Sequence, residues 1–432
     1  MSKKMPQNTI PLGWRLPEEA AATMGFQIDH QPARRRTALV RYSGEGHITT
    51  IAPTGSGKGR GCIIPTLLTC RSNVIVIDPK GENYQVTARR RREFGQRVVV
   101  LDPFRIVTEE PDTFNPLDFV RRTPGLFEPD IETIGELLVG DLPERLPDPF
   151  WEHTARSFLN GMLADIVSDE ADAEACHLGT LRARLSAPDV ACDIAGRLDN
   201  ELVRNQLAVE ELQMFLGHEG QKVRPSVLST AQQHVRILSS DAVRASVARS
   251  TFALDDVIGA QPLSIFICIP PERLTSHAQL LRLWVGVLMA AITRRTEIPK
   301  RRTLFILDEA AQLGELRALR QAVTLLRGYG VQVHTLWQDL SQLQRLYSDW
   351  PTILNNSAIK QCFGVTTRGA AHTLADVLGY DDPQRLLDLA PHEQVLSMPG
   401  VPTGVLRRLD YLRDRVFNGL FDDNPRYGSH GL

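Results

Sequence analysis

The sequence has no apolar segment long enough to cross a lipid bilayer as a helix. Its most apolar stretch, LWVGVLMAAI, begins at Leu283 and lies between Arg282 and Arg294. A membrane-spanning helix needs about 20 consecutive apolar residues, so this stretch predicts a buried helix instead. The first residues also lack the apolar core of a signal peptide. We therefore expect a cytoplasmic protein, which could lie at the inner membrane through a partner.

Paired cysteines and an excess of either charge are also missing. The six cysteines are scattered without a C-x-x-C pair, which predicts small buried residues in a reducing compartment. The 49 basic and 51 acidic residues give a formal net charge of −2, so overall charge does not predict a nucleic-acid partner. Arginines concentrated on one face could still bind one. Only seven of the basic residues are lysines, so Lys58 and Lys80 are notable inside motif-like stretches.

What the sequence does have is an alternation of short apolar runs with longer amphipathic ones, which predicts an α/β fold with a mostly parallel sheet. The predicted strands are HITTIA, NVIVID, RVVVLD, LSIFICIP, TLFILDE, VQVHTLW and IKQCFGV. Between about residues 141 and 255 the apolar spacing changes to three and four, which predicts helices. We expect an N-terminal extension at 1–45, an α/β domain in two parts at 46–140 and 256–432, and an all-α domain inserted at 141–255.

A glycine-rich stretch, IAPTGSGKGRGCIIPTLL from Ile51, nearly matches the phosphate-binding loop G-x-x-x-x-G-K-[ST]. Ala52 stands in place of the first glycine, and Gly59 replaces the hydroxyl residue that normally binds Mg²⁺. The predicted strand before it and helix after it are the context that such a loop requires. The alternative is a tight turn without phosphate. We predict that ATP binds at Pro53, Thr54, Gly55, Ser56, Gly57, Lys58 and Gly59.

A second stretch, RRTLFILDEAAQLG from Arg301, is an apolar strand that ends in Asp308 and Glu309. In P-loop motors an aspartate at this position supports Mg²⁺, which we predict here to occur through water. The adjacent glutamate is a candidate general base. Adjacent acids also cap helices, so this motif is weak alone. Together with the loop about 250 residues upstream, it predicts Mg²⁺-dependent ATP hydrolysis.

Other polar residues follow predicted strands, where ligands of open α/β sheets bind. Asp78, Lys80, Glu82 and Asp102 are candidates for this edge, although we favour a simple turn for Asp102. Gln338 ends the VQVHTLW strand and is predicted to contact the γ-phosphate.

Two further polar groups have structural interpretations. Asp339 has the spacing of a helix cap. The run Arg89 to Arg92 is typical of a solvated helix face.

Several of these stretches together resemble the type IV secretion coupling proteins, the TraG/TraD-type conjugative DNA-transfer ATPases. APTGSGKGRGCIIPTLL is similar to their phosphate loop, in which a leading alanine and a final GKG also occur. IDPKGENYQVTARRRREFGQRVVVLDPF, FWEHTARSFL, FILDEAAQLG, RGYGVQVHTLWQDLSQLQRLY and PHEQVLSMPGVPTGVLRRLDYLRD resemble later stretches of the family. The similarity covers roughly residues 45 to 415.

The resemblance implies a RecA-like P-loop motor domain with an all-α insert, assembling as a hexameric ring. It implies ATP and Mg²⁺ as cofactors. The implied partners are DNA, a relaxase or other secretion substrate, and the type IV secretion machinery or a membrane protein. Members of the family usually carry N-terminal transmembrane helices, which this sequence lacks, so direct membrane anchoring is not expected. In such a ring, Arg327 and Arg368 are candidates for the arginine that reaches a neighbouring subunit's nucleotide, because each follows a stretch near the expected active edge.

Two other functions fit parts of this pattern. The protein could be a nucleotide-gated adaptor that recruits protein substrates without moving DNA. DNA-stimulated turnover would separate the motor from this adaptor. A metabolic kinase on the same loop is disfavoured because no motif for an acceptor substrate is visible.

Overall fold

The computed structural model describes residues 8–16, 38–140, 149–169, 174–218 and 222–425. Eleven strands, β1 to β11 in chain order, occur in this part of the chain. They are Ile10–Arg15, Leu39–Tyr42, His47–Ile51, Asn73–Ile77, Arg97–Leu101, Leu263–Ile267, Thr303–Leu307, Val331–Trp337, Ser357–Cys362, Glu393–Met398 and Val401–Arg407. They form one sheet in the order β2-β1-β11-β10-β9-β3-β8-β7-β4-β6-β5.

The half of the sheet from β9 to β5 is entirely parallel. All seven of these strands coincide with predicted apolar runs. Strands β3, β4, β6, β7 and β8 are buried along their whole length. Continuous burial explains why these runs are apolar throughout, since helices cover both faces of a parallel sheet. The predicted α/β fold with a mostly parallel sheet is confirmed.

The rest of the sheet is antiparallel, and no predicted apolar run covers its strands β10, β11, β1 and β2. β9, β10, β11, β1 and β2 pair in succession, each antiparallel to the next. The described parts of the extension predicted at 1–45 therefore belong to the sheet, because β1 pairs directly with β11. Residues 1–7 and 17–37 of that extension lie outside the described residues.

Seventeen α-helices, α1 to α17, accompany these strands in the described ranges. They are Ile64–Thr69, Glu82–Glu93, Phe127–Val139, Phe150–Ser168, Leu178–Leu185, Val190–Asp199, Gln206–Gly217, Val223–His234, Asp241–Ser246, Leu254–Ile258, Pro271–Leu274, Ala278–Ile292, Arg317–Leu325, Leu340–Leu346, Trp350–Asn355, Arg368–Leu378 and Pro383–Leu387. Helix α12 contains the apolar stretch LWVGVLMAAI and is almost entirely buried, as predicted. No helix among the described residues is long and apolar enough to span a membrane.

The described part of the predicted insert at 141–255 contains helices α4 to α9 and the start of α10, between strands β5 and β6 in the chain. The described residues of the range 141–255 contain no strand. Helix α4 is central to the insert, because it packs against α3, α7 and α8. The predicted entry of the insert at residue 141 lies outside the described residues. The exact limits of the domains stay a prediction.

The parallel strands give the sheet two chemically different edges. We use "carboxyl edge" for the residues that follow the parallel strands and "amino edge" for those that precede them. Ligands of open α/β sheets bind at the carboxyl edge. Strands β3, β8, β7 and β4 are consecutive neighbours in the sheet. The residues that follow these four strands therefore meet at one place.

Candidate functional site

The predicted phosphate loop begins directly after strand β3 at the carboxyl edge. Gly55 and Gly57 have φ values of 77° and 86°, a conformation that L side chains rarely adopt. A Cβ added at Gly55 or Gly59 would meet no atom within 4 Å, so the loop borders open space. Gly59 begins a single π-helical turn that leads into helix α1. Crowding therefore does not explain why a glycine replaces the usual hydroxyl residue at position 59.

Lys58 is buried at the base of this loop, with only 7% of its surface exposed. Its Nζ donates a hydrogen bond to the carbonyl oxygen of Ala52 at 3.0 Å. The same Nζ lies 3.8 Å from Oε1 of Glu309. The ammonium group therefore stands between the loop and the acidic residues that follow strand β7.

Asp308 and Glu309 follow strand β7 as the sequence predicts. Burial raises the pKa of Asp308 to about 6, and repulsion from Glu309 acts in the same direction, whereas Lys58 and Lys80 oppose it. Glu309 has a φ of 55°, which is unusual for a residue with a side chain. Such a conformation costs about 1–3 kcal/mol and is found most often at functional sites. The backbone at Glu309 is therefore strained, directly after Asp308 and beside Lys58.

Gln338 connects to this group from the neighbouring strand β8. Its Nε2 donates a hydrogen bond to Oε2 of Glu309 at 2.7 Å. Its backbone N–H donates to Oε1 of Gln342 at 3.0 Å, which fixes the start of the segment after the strand. Glu309 is therefore oriented by Gln338 on one oxygen and faces Lys58 with the other.

Asp78 follows strand β4 and is the buried neighbour of Asp308. Its carboxylate accepts hydrogen bonds from the backbone N–H of Tyr84 at 2.8 Å and from Nδ2 of Asn83 at 3.2 Å. Burial raises the pKa of Asp78 to about 7, against the effect of these hydrogen bonds, and the charge of Asp308 adds to the increase. Asp78 thus lies at the carboxyl edge and borders the same cavity as the phosphate loop, while its part in activity stays a prediction.

These residues line one cavity of about 800 Å³. All seven predicted loop residues, Lys58 included, and the predicted Asp308, Glu309 and Gln338 border it. Lys80 and Glu82 border it as well. The structure thus brings the predicted residues together, while their chemical roles stay predictions.

The side-chain oxygens that line the cavity could bind Mg²⁺ only together with phosphate oxygens of the nucleotide. In the described part of the chain, no group of three or more His, Cys, Asp or Glu side chains could hold a metal ion. Mg²⁺ prefers oxygen ligands and is commonly bound by one or two carboxylates together with substrate phosphates. Asp308 is a partly buried carboxylate that lines the cavity and is placed for this, and the open space beside Gly59 leaves room for water.

The two candidate arginines lie at different edges of the sheet. Arg368 begins helix α16 and is exposed, shortly after strand β9 at the carboxyl edge. Arg327 precedes strand β8, and its Nε lies 3.9 Å from Oε2 of Glu45, which precedes strand β3. Arg327 is therefore at the amino edge, away from the phosphate loop of its own subunit. Its role toward a neighbouring subunit stays a prediction.

Other polar residues of the sequence have structural roles. Asp102 accepts hydrogen bonds from the backbone N–H groups of Ile106 and Val107, which confirms a turn. Asp339 caps helix α14 by accepting from the N–H of Gln342, also as predicted.

The solvated-face interpretation is wrong for one member of the arginine run. Arg91 is fully buried and donates to the carbonyl oxygens of Leu67, Cys70 and Ser72. It closes the end of helix α1 against strand β4, which no local pattern reveals.

The opposite side of the cavity comes from a segment to which the sequence assigned no role. We call residues 407–413, which begin with the last residue of strand β11, the C-terminal wall. Arg60 donates to both carboxylate oxygens of Asp410, each at 2.6 Å, and so connects this wall to the loop. Arg408 donates to the carbonyl oxygen of Gly57 at 3.0 Å. The only available signal was the charged pattern RRLDYLRD, which shows neither contact.

Comparison with known proteins finds similar sequences among conjugation proteins. The conjugal transfer protein TraG of Rhizobium radiobacter is 29% identical over 345 residues, which cover 77% of this chain and 53% of TraG. The protein VirD4 of Agrobacterium fabrum strain C58 is 24% identical over 416 residues, which cover 87% of this chain and 60% of VirD4. The chain spans about half the length of the TraG proteins that it matches.

A solved structure shows the same fold, and a family model covers most of the chain. The plasmid coupling protein TrwB, in complex with ADP and Mg²⁺, aligns with a TM-score of 0.63 at 16% identity, covering 84% of each chain. The architecture is thus a RecA-like P-loop fold with an all-α domain. The family described as "Type IV secretory system Conjugative DNA transfer" matches residues 21–382. The chain belongs to this family of type IV secretion coupling proteins.

Proposed function

We propose that this chain is an Mg²⁺-dependent ATPase of the coupling-protein class, which uses ATP hydrolysis to translocate or deliver DNA or nucleoprotein substrates. The observation that carries the proposal is the convergence of Lys58, Asp308, Glu309 and Gln338 on one cavity. They follow three adjacent strands of the parallel sheet, β3, β8 and β7. A chance glycine-rich turn would not bring a general-base candidate and its orienting partner to the same place.

The loop and Lys58 bind the nucleotide in this proposal. The backbone N–H groups of the loop surround the phosphates, and the Lys58 ammonium moves from Ala52 and Glu309 to phosphate oxygens. Asp308 supports the metal through water. Mg²⁺, when bound with the nucleotide, neutralises charge that develops on the transferred phosphoryl group.

Glu309 and Gln338 act on the attacking water. Glu309 accepts its proton, and the release of Lys58 to the phosphates frees one oxygen of Glu309 for this role. Gln338 holds the other oxygen through its Nε2 hydrogen bond. Because Gln338 can exchange this bond for one to the γ-phosphate, it would report whether that phosphate is present.

The known relatives support this chemistry and its cargo. TrwB was solved with ADP and Mg²⁺ and also with a non-hydrolysable ATP analogue. TraG is named a conjugal transfer protein, and the family's description is conjugative DNA transfer. We therefore propose DNA as the cargo. A relaxase or similar protein accompanies it, and the type IV secretion machinery is the recipient, reached through a membrane partner.

We propose that the ATPase assembles as a hexameric ring with nucleotide sites between subunits. Arg327 is the better candidate for the arginine supplied in trans, because its position at the amino edge removes it from its own cavity. Arg368 lies on the same edge as its own phosphate loop. Both remain candidates until each is replaced.

ATP turnover with and without DNA tests this function directly. DNA contacts must come from arginines concentrated on one surface, because the net charge of −2 provides no overall attraction. Turnover should rise with DNA of any sequence at low salt, since phosphate contacts carry no base information. The stimulation should fade as salt increases. Nucleotide-dependent binding of protein substrates with negligible turnover would favour the adaptor instead.

A further inference from the structure

Arg408 in the C-terminal wall contacts the phosphate loop directly. Its Nη2 donates to the carbonyl oxygen of Gly57, and its Nη1 donates to that of Pro391, both at 3.0 Å. The guanidinium stacks on the ring of Phe363, with 3.7 Å between Cζ and the ring centroid. A Cβ added at Gly57 would lie 3.0 Å from Nη2, so glycine at position 57 also makes room for this arginine.

The charge of Arg408 has no carboxylate partner among the described residues. Asp410, whose charge acts on Arg408, is bound by both Nε and Nη2 of Arg60. The Nε of Arg408 is buried and donates no hydrogen bond. Burial lowers the pKa of Arg408, which indicates that its charge is poorly compensated. Partial burial of such a cation costs free energy unless an anion pairs with it.

The position of Arg408 identifies which part of a nucleotide it would meet. The charges that act on Asp308 are Glu309, Lys58 and Lys80, which mark the end of the cavity where hydrolysis is proposed. The guanidinium of Arg408 lies against the turn that leads into helix α1, because a Cβ added at Gly61 would be 3.2 Å from its Nη2 and 3.6 Å from its Nε. In such loops the lysine reaches the β- and γ-phosphates, so the α-phosphate is the part of the nucleotide left for Arg408.

We propose that Arg408 binds the α-phosphate of the nucleotide, in the same subunit, while its hydrogen bond to Gly57 positions the phosphate loop. This inference rests on the proposed ATPase function and adds a binding residue from a distant part of the chain. One charge-assisted hydrogen bond contributes about 1.5–3 kcal/mol, which corresponds to about 10- to 150-fold in affinity. Because ADP and ATP share the α-phosphate, both should lose affinity to the same degree.

The test compares Arg408→Gln with Arg408→Lys in equilibrium titrations of the full chain with ADP and with a non-hydrolysable ATP analogue, each with Mg²⁺. Both variants lose the two-pronged contact to Gly57 and Pro391, but only lysine keeps the positive charge. We expect Arg408→Gln to weaken both ligands about 10- to 150-fold and Arg408→Lys to weaken them clearly less. The difference in nucleotide affinity between the two variants should become smaller at high salt, because salt screens the attraction between the lysine charge and the phosphate.

Arg415→Gln is the matched control, since Arg415 is exposed two residues after the C-terminal wall and does not line the cavity. It should bind both ligands like the wild type. Equal loss in Arg408→Gln and Arg408→Lys at all salt concentrations would assign the residue a purely structural role and overturn the inference. So would wild-type affinity in Arg408→Gln, or a loss confined to the ATP analogue, which would place the contact at the γ-phosphate. A wild type that binds neither ligand would overturn the proposed function as well.

Discussion

The two sides of the nucleotide cavity differ in charge and in how they are built. The strand side presents acidic residues, Asp78, Asp308 and Glu309, which follow neighbouring parallel strands. The C-terminal wall presents arginines, and Arg408 reaches the loop across 351 positions of sequence. Acids on one side and cations on the other suit a ligand with a metal-bound end and a bare phosphate end.

The two sides of the cavity are also held in place by different contacts. The strand side is held by the sheet, so its carboxylates are fixed within a buried frame that favours chemistry. The C-terminal wall is held to the loop by side-chain contacts such as the Arg60–Asp410 pair. We infer that the strand side controls hydrolysis, whereas the wall controls binding. The Glu309 and Asp410 variants below separate hydrolysis from binding.

The largest effect should come from a residue that belongs to neither side. Replacing Arg327 with alanine should lower ATP turnover by about 10³- to 10⁵-fold if it stabilises the transferred charge in a neighbouring subunit. Mixing Arg327→Ala with Lys58→Ala subunits should restore part of the activity, because each supplies what the other lacks at one interface. Arg368→Ala is the competing variant under the same assay. Restoration with Arg368→Ala and none with Arg327→Ala would reverse the assignment.

Glu309→Gln should separate hydrolysis from binding on the strand side. General-base catalysis contributes about 10²- to 10⁴-fold, so steady-state turnover should fall by that factor. Nucleotide affinity should stay within a few-fold of the wild type, since the amide oxygen of the new side chain can still accept the hydrogen bond from Gln338. Glu315→Gln, six residues further along the same segment, serves as the control and should keep wild-type turnover. Turnover of Glu309→Gln at the wild-type level would contradict the base assignment.

Asp78 should make the stability of the nucleotide-free protein depend on pH. Burial raises its pKa to about 7 from the usual 3.8, so the protonated carboxyl favours the folded state. That contribution is present below about pH 4 and is lost as pH rises through about 7. Asp78→Asn cannot titrate at this position, so its free energy of unfolding relative to that of the wild type should rise by a few kcal/mol between pH 5 and pH 8. Thermal unfolding of both proteins at the two pH values measures this difference. The same difference between the two proteins at both pH values would refute this.

The smallest effect should come from the pair that fastens the C-terminal wall. Asp410→Asn weakens the bidentate contact with Arg60, which is partly exposed, so a stability loss of about 1 kcal/mol is expected in thermal unfolding. Nucleotide affinity should also fall a few-fold while turnover at saturation is kept. Asp241→Asn breaks an exposed pair with Arg244 on helix α9 and should change neither quantity. A loss of saturated turnover in Asp410→Asn would remove the division between the two sides.

The strand side could be predicted from the sequence because each of its parts has a local pattern. Buried parallel strands are continuous apolar runs, and polar residues at their ends indicate the carboxyl edge. The C-terminal wall has no such pattern. Strand β11 is only partly buried and contains Pro402 and Gly404, which weaken a strand signal. The contact of Arg408 with the loop exists only after folding, as does the burial of Arg91.

The central claim is that this cavity binds Mg²⁺–nucleotide through the loop and Lys58. The most direct measurement is an equilibrium titration of the wild type and of Lys58→Ala with a non-hydrolysable ATP analogue and Mg²⁺. We expect saturable binding by the wild type and none by Lys58→Ala, because the buried ammonium lies between the loop and Glu309. Binding by Lys58→Ala with the affinity of the wild type would contradict it.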